Sequence, residues 1–194
     1  MIKGSEVRQA DYPVDKLFLD RWSPRAMSGD ELSEQELMVL FEAARWAPSS
    51  GNNQPWRVLY ARRSSRHWPV FFDLLSDGNK RWAHKAAALL IFISKKTRDN
   101  GKPAITHSYD TGAAWVSLAL QGLLKGYVVH GMQGFDYARA REVLRVPEDY
   151  AVEAAAAVGK PGNVTDLSDD LQQRETPNTR RPAKESICEG PFGF

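Results

Sequence analysis

The sequence predicts a mixed α and β domain, and three stretches carry that expectation. Ser33 to Trp46 opens on a Ser-Glu-Gln-Glu capping box and sets Leu37, Leu40, Phe41 and Ala44 on one helical face. Ala86 to Ser94 is a continuous apolar run, which suits a strand buried on both faces. Thr111 to Lys125 is apolar nearly all round at helical spacing, which suits a central helix. The chain has 194 residues, 42% apolar and 26% charged, ordinary values for one globular domain.

The remaining elements follow in order. Asp11 to Asp20 reads as a short helix with Pro13 in its first turn and Val14, Leu17 and Phe18 on one face. Arg21 to Ser28 is a loop, because Pro24 disfavours helix at Ser23, and it holds two guanidiniums close together. The helix from Ser33 stops at Pro48. Pro48 to Trp56 packs prolines, a glycine, hydroxyls and amides into one rigid turn, and Arg57 to Ala61 is a strand by composition. His67 to Leu75 is either a helix or a strand plus turn. Lys95 to Lys102 is a charged loop. In the central helix, Gly112 and Gly122 allow another helix to come close, and Gly126 ends it. Tyr127 to His130 is a short strand, followed by a glycine-flanked turn and a helix from Tyr137 to Leu144 capped by Asp136. Tyr150 to Val158 is helical by its alanine content, but Gly159-Lys160-Pro161-Gly162 must end the element. Asn163 to Phe194 is polar and too poor in apolar residues to pack on itself.

Several function classes recede. A net charge of +2 is too small to argue for nucleic acid, and Arg62, Arg63, Arg66 and His67 read as a solvated turn. No apolar run reaches a membrane-spanning length, and the N-terminus lacks the apolar core of a signal peptide. The single cysteine, Cys188, allows no internal disulfide, so a cytoplasmic location is expected. The four histidines show no metal-ligand spacing, and no phosphate-loop, dinucleotide or hydrolase motif is present. His130, beside the glycine turn, is the histidine to watch.

Four motifs together resemble the FMN-dependent nitroreductase family, in the expected order from Leu17 to Pro191. They are Arg21-Trp22-Ser23-Pro24-Arg25, the loop Ala47 to Trp56, the turn Gly131-Met132-Gln133-Gly134-Phe135-Asp136, and the tail with Arg180-Arg181-Pro182. The resemblance implies an α+β fold with a central, mainly antiparallel sheet flanked by helices, and it makes Tyr150 to Val158 the last central strand, followed by the Gly159-Lys160-Pro161 turn. It also implies an intertwined homodimer whose C-terminal tails are exchanged. Residues 1–162 then form the flavin-binding core, and residues 163–194 wrap the partner, with Ser186 to Glu189 adding an edge strand. It implies that Arg21, Ser23 and Arg25 contact the FMN phosphate and ring edge, and Trp22 the cofactor through its backbone. Pro48, Ser49, Ser50, Asn52 and Gln54 join the cofactor site, as do the backbones of Met132, Gln133 and Gly134 near the flavin N5. Arg180 or Arg181 binds the phosphate. Gln133 stands where many members carry Glu, Trp22 where many carry Arg or His, and Asn79 or Lys80 is a candidate flavin contact.

The chemistry implied is hydride transfer from NADH or NADPH through flavin N5 to a nitroaromatic, quinone or enone-like acceptor, in a ping-pong cycle. No catalytic side chain is required, because the flavin carries the redox step and the protein binds and orients it. The short chain suggests an open, shallow site without a helical lid. Two other readings stay open: a flavin-storing or flavin-sensing protein of the same fold, and a dimeric module that binds some other anion.

Overall fold

The computed structural model describes residues 2–194. Its centre is a four-stranded antiparallel sheet in the order β1-β2-β4-β3, with β1 Trp56–Arg62, β2 Ala88–Lys95, β3 Val128–Met132 and β4 Tyr150–Gly159. Each face carries its own core. On one, Leu89, Ile91, Ala155 and Ala157 meet Phe71, Trp82 and Ala140. On the other, Leu90, Phe92, Ala156 and Val158 meet Leu37, Leu40, Ala114 and Leu118. The helices of the first face are α3 Trp68–Asp73, α4 Asp77–Ala83 and α6 Tyr137–Val143; those of the second are α2 Glu34–Arg45 and α5 His107–Leu124. The expected antiparallel sheet between helices is therefore present.

The capping box forms as read: Ser33 Oγ accepts from Glu36 N at 3.2 Å, and Glu36 Oε2 accepts from Ser33 N at 2.7 Å. The bonds from Ser33, then that from Tyr127, hold the Glu36 carboxyl down at about 2. The alanine-rich stretch is a strand, because β4 lies between β2 and β3 and its alternate alanines enter both cores. Tertiary burial overrides helix propensity there.

Other elements differ from expectation. The first helix, α1 Lys16–Asp20, starts late because Asp15 caps it, accepting from Leu17 N at 2.7 Å; Pro13 precedes the cap. Central helix α5 begins four residues early, in a polar turn whose side chains carry no apolar period. His67 to Leu75 resolves as helix α3, with Pro69 in its first turn. Gly122 is close to β3 rather than to a helix: an added Cβ would stand 2.5 Å from Val129 Cγ2. The tail is not wholly detached from its own chain. A short helix, α7 Asp169–Gln172, buries Leu171 in the first core, and Glu175 is 3% exposed. Residues 186–189 are irregular in the single chain.

Candidate active site

The loop after α1 and the tail after α7 build one cavity of about 310 Å³, lined by Arg8, Arg21, Trp22, Ser23, Arg25, His130, Arg174, Thr176, Asn178 and Arg180. Glu175 fastens the two segments. Its Oε1 accepts from the backbone N–H groups of Arg25 at 2.5 Å and Ala26 at 2.8 Å, and Oε2 lies 3.6 Å from the Arg25 guanidinium. Arg8 ties the other side, donating to the carbonyls of Asn178 at 2.7 Å, Leu19 at 2.6 Å and Arg21 at 2.9 Å. Arg21 Nη1 donates to Ser23 Oγ at 3.3 Å.

The electrostatics of this cavity are one-sided. Burial, then the charges of Arg180 and Arg8, pull the Arg21 guanidinium below its usual pKa. Burial and Arg180 do the same to Arg8, against a weaker pull from Asp20. His130 stays neutral: burial lowers it to about 4, with Arg25 and Arg21 adding to the fall, although its Nδ1 bonds the Pro24 carbonyl at 2.8 Å. Its ring also packs on Trp82. Like charges gathered this way favour a dianionic guest.

A second cavity, of about 590 Å³, opens between α5 and the sheet. Phe92, Thr111, Gly112, Trp115, Gly131, Met132 and Gln133 are in its wall, together with Ser108, Tyr137, Glu153 and Ala154. Arg21 links the two spaces, its guanidinium lying 6.0 Å from the centre of the Trp115 ring. Trp115 Nε1 is buried without a partner among the described residues, as a donor awaiting a ligand would be. The Trp115 indole lies close over Gly131, where a Cβ would stand 2.9 Å from the ring. The residues fit FMN: arginines for a phosphate, then a roomy, partly apolar slot with an orphaned donor.

The expected site residues divide between these places. Arg21, Trp22, Ser23, Arg25 and Arg180 line the first cavity, and Met132 and Gln133 the second. Trp22 turns its side chain inward, 7% exposed, and donates to the Ile2 carbonyl at 2.9 Å. Arg181 is exposed and lines neither. The Gly134 carbonyl accepts from Ser76 N and from Asn79 Nδ2, both at 2.9 Å, so Asn79 braces the turn, while Lys80 pairs with Asp73. Pro48, Ser49, Ser50, Asn52 and Gln54 line neither cavity. Their loop, with positive φ at Gly51, Asn52 and Gln54, rests on the start of α5 through Ser50 N to Asp110 at 3.2 Å and otherwise faces outward. Sequence reading missed Arg8, Arg174 and Glu175, which only the fold brings beside Arg21.

Fold and site together define an α+β protein with a strongly anion-seeking pocket beside its sheet, and comparison with known proteins narrows this to one group. The chain belongs to the nitroreductase family, whose model matches residues 19–160, and it is an oxidoreductase of that family. A crystal structure described as an oxidoreductase containing FMN is 46% identical, superposes with a TM-score of 0.93 and covers 99% of both chains. A protein named NADH dehydrogenase from Thermus thermophilus is 30% identical over 173 residues, 74% of this chain and 84% of that one. A nitroreductase family protein from Streptococcus pneumoniae shares the fold at 18% identity, with a TM-score of 0.71 over 90% of this chain and 98% of its own.

Proposed function

We propose that this chain is an FMN-dependent oxidoreductase that takes hydride from NADH or NADPH and passes it to a nitroaromatic, quinone or enone-like acceptor. The cluster of Arg8, Arg21, Arg25 and Arg180 around one cavity carries the reading, because Glu175 beside Arg25 and the weaker pull of Asp20 on Arg8 leave Arg21 against like charges that a phosphate would offset. When bound, FMN supplies the two-electron redox chemistry. The chain's own residues then bind and orient it. Arg21, Arg25 and Arg180 hold the phosphate, and Glu175 fixes the Arg25 backbone from behind. Gly131, Met132 and Gln133 offer a narrow turn to the flat ring, with Trp115 on its flank. The two relatives described above as FMN-containing and as an NADH dehydrogenase support the cofactor and the donor.

The reading includes a homodimer. The outward loop Pro48 to Gln54 then reaches the cavity of the other subunit, and exposed Phe18, Tyr109, Leu124 and Ile187 are covered. The test is an absorption spectrum of the purified protein before and after anaerobic NADH or NADPH. Flavin bands that bleach are expected. Bands that persist favour flavin storage or sensing, and no bands after FMN is added overturn the reading.

A further inference from the structure

The second cavity carries a fixed carboxylate that its backbone has been bent to deliver. In β4, Ala155 and Ala157 enter one core, and Ala156 and Val158 the other. Strict alternation would send Glu153 to the side of Ala155 and Ala157, into apolar surroundings. The register breaks there instead: Phe92 pairs with Ala154, Ile93 pairs with Val152, and Glu153 is the extra residue of a β-bulge. Val152 therefore packs on the first core, while Glu153 joins Ala154 in the cavity on the α5 side. Bulges re-aim side chains in this way beside active sites.

The carboxylate is then locked. Glu153 Oε1 accepts from the fully buried Ser94 hydroxyl and from Ser108 Oγ at 2.7 Å. His107 Nδ1 lies 2.7 Å from Ser94 Oγ, 3.2 Å from Ser108 Oγ and 3.5 Å from Glu153 Oε1. Because both hydroxyl hydrogens go to the carboxylate, the imidazole Nδ1–H donates to the hydroxyl oxygens. Two O–H donors converging on one oxygen fix the direction of the carboxylate. Across the cavity, the Tyr137 phenol is raised by burial and then by the Glu153 charge.

We propose that Glu153 is a specificity-determining residue that selects acceptors by charge, admitting neutral and cationic compounds and rejecting carboxylated ones. This rests on the oxidoreductase reading, with the acceptor entering the cavity beside Met132 and Gln133. Two unit charges in a partly solvated cleft repel enough for roughly tenfold discrimination.

The experiment uses the flavin-loaded protein with NADH and three nitroarenes of similar size: 4-nitrobenzyltrimethylammonium, 4-nitrobenzyl alcohol and 4-nitrobenzoate. In wild type, kcat/KM should fall in that order, with the alcohol about tenfold above the benzoate. Glu153→Gln, which keeps the shape, should bring alcohol and benzoate to within about threefold of each other, the ratio and not either rate being the readout. A flat order in wild type, or an unchanged ratio in the variant, overturns the proposal and leaves the oxidoreductase reading standing. If the variant does not fold, the order of the three acceptors on wild type decides alone. Failure of all three to oxidise NADH sinks both.

Discussion

Arg21 stands where burial and two neighbouring guanidiniums act against its own charge, so its removal should separate binding from folding. Arg21→Ala should weaken FMN by about 1.5–3 kcal/mol, the range for a hydrogen bond to a charged group, in a fluorescence titration of the apoprotein. The apoprotein itself should lose little stability, because a repulsion goes with the side chain. Arg180→Ala should weaken FMN similarly and Arg181→Ala should not, since only Arg180 lines the cavity. His130 gives a pH signature. Its folded pKa, about 4, lies below the ordinary 6.5, so the unfolded chain binds more protons between those values. Stability should therefore fall as pH drops from 6.5 to 4 and level off below, by up to about 3 kcal/mol. His130→Gln should flatten that limb of the urea midpoint measured against pH.

Among elements, the tail strap and the central helix are the ones to test. Glu175→Ala leaves the N–H groups of Arg25 and Ala26 without their acceptor, at about 2–4 kcal/mol in urea unfolding, and FMN affinity should fall with it. Gly122→Ala forces a methyl toward Val129 and should cost about 1–3 kcal/mol, whereas Gly112→Ala meets nothing in the chain within 4 Å and should not lower monomer stability. These elements also show what was legible. Helix α2 and strand β2 could be read because cap, period and apolar run each speak locally. Glu175 could not, since its partners lie about 150 positions away and a lone Glu in a polar tail has no local mark. The bulge at Glu153 was hidden for another reason: a run of alanines has no alternation to break. The arginine loop was legible only through resemblance, because spacing alone leaves Arg21 and Arg25 as two surface charges.

At the scale of the whole molecule, the remaining expectation is assembly. Ile187, Phe192 and Phe194 are 71%, 89% and 60% exposed in the single chain, more apolar surface than a free tail usually shows. In the proposed homodimer, removing residues 183–194 should shift sedimentation from dimer toward monomer, while the arginine cavity, which ends at Arg180, keeps its lining. That cavity has one last consequence. Guanidiniums gathered this closely act against one another's charge, so on the proposed reading the phosphate of FMN would also be a folding agent. Binding at 100 times the dissociation constant adds about 2.7 kcal/mol to stability. On that reading a pulse-chase should show shorter survival of this protein in flavin-starved cells than in flavin-replete ones.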